Sequence, residues 1–121
     1  MDNQFNINMF SNDAEFCSSV AIECNKYGFL LSFIEDLDQI DSELEDDVIV
    51  VTLLDLHDFS SDPFKLCKAI KNQYGIPIFG VLNTFSRQLQ EKAKKSGFDL
   101  VFTKKMLIKS IKEVVIHVSN E

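Results

Sequence analysis

The residues best suited to chemistry in this sequence are a few carboxylates and one lysine placed at the ends of apolar runs. Asp55 follows Val48-Ile-Val-Val-Thr-Leu-Leu54, Lys104 follows Leu100-Val-Phe-Thr103, and Asp13 comes shortly after the alternating segment Phe5-Asn-Ile-Asn-Met-Phe10. An aspartate held beside an ammonium supports two kinds of behaviour. With a divalent cation it can accept a phosphoryl group, the lysine neutralising the phosphoryl oxygens. Without one, the two form a plain ion pair. Asp58 and Asp62 lie close enough in sequence to Asp55 to lend another ligand, although Asp62 ahead of Pro63 reads better as a helix N-cap with proline at the first helical position. Other chemistries lack their reagents. Cys17, Cys24 and Cys67 are odd in number, show no C-x-x-C pair and fall on apolar helix faces, which suits buried thiols in a reducing cytoplasm. His57 and His117 have no matching ligand partners and read as incidental. Gly80 and Gly97 belong to no G-x-G-x-x-G, and no nucleophile–base pair stands out, so the chain does not read as an enzyme.

These residues need elements to position them, and the periodicity supplies a regular alternation. Strands are predicted over Phe5–Phe10, Phe29–Ile34, Val48–Leu54, Ile76–Leu82 and Leu100–Phe102; the long runs with β-branched residues suit strands covered on both faces. Between them, Phe16, Val20, Cys24 and Tyr27 share one face of a helix over Ala14–Tyr27 that stops at Gly28. Further helices are predicted over Phe64–Tyr74, Thr84–Ser96 and Met106–Val118, and the acidic stretch Glu35–Asp47, with Leu37, Ile40 and Leu44 at helical spacing, reads as a short solvated one. The order is (βα)5 in a single domain, 1–121. It predicts an α/β three-layer sandwich around a doubly wound five-stranded parallel sheet. In such folds ligands gather at the carboxyl ends of the strands, where the sequence places Ser11-Asn12-Asp13, Asp55, Leu82-Asn83-Thr84 and Thr103-Lys104-Lys105. Asn6 and Asn8 do not fit simply: both would be buried on one face of a central strand, unless the strand begins nearer Ile7 or that face is partly open.

Over nearly its whole length the chain resembles the receiver domain of two-component response regulators. Leu53-Leu54-Asp55-Leu56 followed by Asp62-Pro63-Phe64-Lys65-Leu66 carries the resemblance, together with Ser96-Gly97-Phe98-Asp99 ahead of Val101-Phe102-Thr103-Lys104. It implies the flavodoxin-like, chemotaxis-regulator-like strand order 2-1-3-4-5, with Asp55 equivalent to the phosphoacceptor and Lys104 to the lysine after the fifth strand. Other pocket-equivalent positions depart from the family. Ser11 and Asn12 stand where two carboxylates hold Mg²⁺, Asp13 lies one place further on, and Leu82 replaces a Thr or Ser. Neutral groups attract Mg²⁺ poorly, and leucine cannot hydrogen-bond a phosphoryl oxygen. The resemblance therefore implies an atypical pseudo-receiver that needs no cofactor, with metal absent or weakly held by Asp13 and Asp55, acting through a protein partner. The alternative is a working receiver phosphorylated on Asp55 by a histidine kinase, recruiting Mg²⁺ through Asp13 and backbone oxygens.

Charge and composition bear on the partner. The 121 residues are 45% hydrophobic with eleven Phe, enough for one core, and hold neither a long apolar span nor an apparent secretory leader. The net charge of −7 divides unevenly: residues 1–63 carry fifteen acids against one lysine, a balance of −14, and residues 64–121 carry eleven bases against four acids, a balance of +7. The acidic total argues against direct nucleic-acid binding, and nothing points to a membrane. A partner-binding face is predicted from Arg87, Lys92, Lys94, Lys95, Lys105, Lys109 and Lys112, suited to a histidine kinase or an acidic effector protein and unsuited to a symmetric dimer that would bring like charge to like.

Overall fold

The computed structural model describes residues 4–35 and 48–119. Five strands, β1 (Gln4–Phe10), β2 (Leu30–Phe33), β3 (Val48–Asp55), β4 (Ile78–Leu82) and β5 (Leu100–Thr103), form one parallel sheet in the order β2-β1-β3-β4-β5. Four helices are described: α1 (Ala14–Tyr27), α2 (Pro63–Gln73), α3 (Arg87–Ser96) and α4 (Lys104–Ser119). The acidic helix predicted over Glu35–Asp47 lies, beyond Glu35, outside the described residues.

Strand alternation sends successive side chains to opposite faces, and each face meets its own helices. Ile7 and Met9 of β1 and Val51 and Leu53 of β3 pack with Phe16, Val20 and Cys24 of α1 and Leu107, Ile111 and Val115 of α4. Phe10, Leu54 and Ile78 pack on the other face with Cys67 and Ile70 of α2 and Ala93 of α3. The sheet is thus covered on both sides, and the continuous apolar run of β3 follows from that. Gly80 in β4 suits close packing, because a Cβ there would lie 3.1 Å from the Phe98 ring.

Helix boundaries follow local chemistry. Asp62 accepts from the backbone N–H of Phe64 ahead of Pro63, and Gly28 ends α1 at φ 73°, both as the sequence indicates. Two starts differ from the sequence pattern. Ser86 Oγ accepts from Leu89 N, so α3 begins at Arg87 and not Thr84, leaving Phe85 in the preceding loop with 66% of its surface exposed. Thr103 Oγ1 accepts from Met106 N, so α4 starts directly after β5, at Lys104. Pro77 donates no hydrogen bond, and β4 begins after it.

The paired asparagines resolve into neither alternative that the sequence allows. The strand begins at Gln4, and Asn6 and Asn8 are both buried. Asn6 Oδ1 accepts from Ser32 Oγ at 3.2 Å, whereas the Asn8 amide and the Thr52 hydroxyl, neighbours across the β1–β3 register, find no hydrogen-bond partner among the described residues.

Candidate functional site

The site sits at the carboxyl ends of β1, β3 and β5. Asp55 is the last residue of β3, and its side chain is 0% exposed. Lys104 enters from the β5–α4 junction with its side chain 10% exposed, and Asp13 from the loop that opens α1. The Lys104 ammonium is bonded to three carboxylates at once: Asp13 Oδ2 at 2.8 Å, Asp55 Oδ2 at 2.9 Å and Asp58 Oδ2 at 2.8 Å. The ring of Phe16 lies under it, 5.3 Å from Nζ to centroid.

Asp55 has donors on both oxygens. Its Oδ2 accepts from Lys104 and from the Ser11 hydroxyl at 2.6 Å, and its Oδ1 accepts from the backbone N–H groups of His57 and Asp58, each at 2.9 Å. Asp13 is also shared, since its Oδ1 caps α1 by accepting from Phe16 N. The electrostatic consequences agree in sign. The hydrogen bond from Lys104 holds the Asp13 and Asp58 carboxyls below their usual range, helped by Phe16 N at Asp13 and by Asn83 at Asp58. Burial alone would lower the Lys104 ammonium, but its bonds to Asp13, Asp58 and Asp55 outweigh that and raise it well above its ordinary value.

The remaining positions singled out in the sequence take various places. Ser11 is in the site. Asn12 is turned away from it: its Oδ1 accepts from Ser60 N at 2.8 Å, and its own N–H donates to the Asp58 carbonyl. Leu82 ends β4 beside Thr103, buried, with no polar atom to offer. His57, which reads as incidental in the sequence, belongs here after all, because its Nδ1 accepts from the Asn83 backbone N–H at 2.9 Å and ties the loop after β3 to the loop after β4. Cys24 and Cys67 are buried, with burial pushing each thiol up to about 11.

The seven cations of the predicted partner face come from the two helices that flank the edge strand β5. Helices α3 and α4 lie on opposite faces of the sheet. Arg87 pairs with Glu91, Lys92 lies over the Phe64 ring of α2, and Lys94 and Lys95 are exposed near the end of α3. On α4, Lys105, Lys109 and Lys112 recur at i, i+4 and i+7 and form a stripe beside α1. One end of it lines a hollow of about 220 Å³ with Asp13, Glu15, Phe16 and Ser19, and the other lies over Tyr27. A larger hollow of about 370 Å³ opens at the amino ends of β4 and β5, far from Asp55, and its Lys71 and Asp99 are already paired at 2.7 Å. Among the described residues no helix is long and apolar enough to cross a membrane.

With this geometry in hand, solved structures supply the comparison. The signal receiver domain of a DNA-binding response regulator from Colwellia psychrerythraea superposes with a TM-score of 0.71 at 20% identity, covering 93% of this chain and 99% of that one. The fold is that of a receiver domain. A response regulator described as putative, from Chloroflexus aurantiacus, gives a TM-score of 0.74 at 14% identity, covering 93% and 98%. A response regulator from Burkholderia pseudomallei, solved with a phosphorylated aspartic acid, a calcium ion and citrate, gives 0.70 at 17% identity, covering 93% of this chain and 66% of that one. No family model matches the chain, and no curated protein sequence matches it.

The receiver fold implies Mg²⁺ near Asp55, and the donor set here does not fit that ion. Mg²⁺ requires about six oxygens in near-octahedral array, most of them anionic or water. Ser11 is spent as a donor to Asp55, Asn12 faces the loop, and the carboxylate oxygens that converge already share an ammonium.

Proposed function

We propose that the chain is a signalling module of the two-component kind that works by binding a protein partner, with Asp55 acting as an ion-pair anchor in place of a phosphoacceptor. One observation carries the reading: Asp55 is fully buried and both its oxygens are taken, by Lys104, Ser11, His57 N and Asp58 N. A nucleophilic carboxylate needs a free oxygen lined up with phosphorus and a divalent cation beside it. Neither catalysis nor a cofactor is part of this reading, and its setting is the cytoplasm. The partner is a histidine kinase or an acidic effector. In support, Lys92, Lys94, Lys95, Lys105, Lys109 and Lys112 make no ion pair among the described residues. An acidic protein would meet them without first displacing an ion pair among the described residues, and a two-fold dimer through either basic group would oppose like charges.

The competing reading is a working phosphoacceptor, favoured by the convergence of Asp13, Asp55 and Asp58, whose oxygens lie within 4.8 Å of one another. Intact mass measured after incubation with acetyl phosphate and millimolar Mg²⁺ separates the two. An unchanged mass is expected. A gain of one phosphoryl group that disappears in Asp55→Asn would establish the competing reading.

A further inference from the structure

We propose that the Lys104 ammonium is the resident cation of the Asp13–Asp55–Asp58 cluster, and that by occupying it the protein has replaced a divalent metal with one of its own side chains. The inference deepens the reading of Asp55 as an anchor and rests on it.

A cation serving three carboxylates must sit where their oxygens converge, and the three here come within 4.8 Å of one another. Nζ of Lys104 is 2.8, 2.9 and 2.8 Å from oxygens of Asp13, Asp55 and Asp58, so it occupies the point on which the three carboxylates converge. The match extends to valence of bonding. An ammonium has three N–H donors and no acceptor, and the cluster presents three acceptors, so no donor is left over.

The rest of the site removes what a metal would use instead. Asp55 Oδ1 is held by two backbone N–H groups and Asp13 Oδ1 by the first turn of α1, which spreads the remaining negative charge over amide dipoles. Asn12, the nearest amide oxygen by sequence, is committed to Ser60 N. The lysine stem is fixed at the first residue of α4, and its head lies against the Phe16 ring. An entering divalent ion would have to expel an ammonium that is nine-tenths buried, pull its own water away and find additional oxygens. Asp58 has a particular part in this. It follows Asp55 by three residues, and its backbone N–H and side chain serve opposite ends of the same bridge: the N–H holds Asp55 and the carboxylate holds Lys104.

Mn²⁺ is a suitable probe because it is a hard cation that can be followed by its paramagnetism. Titrated into the wild-type full chain at millimolar concentration, it is expected to show no saturable binding and no site-specific broadening of the His57 and Asp58 amide resonances. Lys104→Met should bind Mn²⁺ at least about tenfold more tightly than wild type, and adding Asp58→Asn to that variant should abolish the gain. Should Lys104→Met fold only when Mn²⁺ is supplied, the metal is replacing the ammonium and the proposal stands. Saturable broadening at His57 and Asp58 in the wild type overturns it, and needs no variant to be read; so does a folded Lys104→Met that binds no more tightly than wild type. These outcomes are separate from the fate of the functional reading. Metal binding by the wild type without a phosphoryl adduct removes this inference alone, whereas an adduct on Asp55 removes the functional reading.

Discussion

Thr52 and Asp55 lie three residues apart on the same central strand, both buried, and the protein treats them in opposite ways. Asp55 carries a full charge and is met by Lys104, Ser11 and two backbone N–H groups. Thr52 carries only a hydroxyl, and that hydroxyl, like the Asn8 amide beside it, has no hydrogen-bond partner among the described residues. The difference follows from location. Strand ends open onto loops and helix starts, whose free N–H groups and long side chains can be gathered around a charge. In mid-sheet every backbone donor is already spent on the ladder, and a buried side chain has only its neighbours to turn to. A charged group survives burial only at the first kind of place, whereas an unpaired neutral group can persist at the second at a cost of about 1–3 kcal/mol.

The largest expected effect breaks the partnered region. Lys104→Met leaves Asp55 buried without its cation. Breaking a buried pair from one side costs about 3–5 kcal/mol, and the lower end applies here because Asp13 and Asp58 reach water. Urea unfolding should therefore show a loss of about 3 kcal/mol in the absence of divalent metal. A loss under about 1 kcal/mol would mean that Asp55 is served well enough by Ser11 and its two backbone donors.

The same region sets the response to pH. Asp13 and Asp58 have folded-state carboxyls below the ordinary aspartate value of 3.8, so the stability they contribute is present above that pH and is lost as pH falls through their lowered folded values. Lys104 is raised above 10.5, so its contribution is complete below that pH and is lost only as pH rises through its raised folded value. The wild type should hold a plateau from mildly acidic to moderately alkaline pH and lose stability below about pH 4. Denaturant midpoints measured against pH will check this, and in Lys104→Met the acid limb should flatten, because protonating the carboxylates then relieves repulsion that the lysine no longer offsets.

What the sequence made legible divides along the same line. The alternation of strands and helices and the helix boundaries at Asp62 and Gly28 were readable because they depend on local chemistry and on the period of the apolar residues, whereas the sheet order came from the resemblance to receiver domains. Asp55 and Lys104 were readable because both stand at strand ends. Which further groups would turn toward them was not. Asp58 was readable only as a spare ligand near Asp55 and His57 as an incidental residue, since spacing along a chain does not fix the direction of a loop side chain. A hint lay in their following Asp55 within three residues, the span over which an aspartate often binds the backbone after it.

The smallest effect concerns the unpartnered region and has the opposite sign. Thr52→Val keeps the shape of the side chain, suits a central strand, and deletes a hydroxyl that has no partner. Removing an unsatisfied buried hydroxyl should return part of its desolvation cost, a gain of about 1 kcal/mol. The variant should thus unfold at higher urea concentration with an unchanged slope. The comparison between the two regions depends on this sign. A loss of about 1 kcal/mol or more would mean that the hydroxyl is paired in solution, through a buried water shared with Asn8, since such water bonds two or more polar groups and is costly to displace. In that case mid-sheet and strand end would have reached the same solution by different means. The follow-up is then Asn8→Leu in the Thr52→Val background: once the hydroxyl is gone, a water left with the Asn8 amide alone would be poorly held, and the second substitution should recover most of the loss.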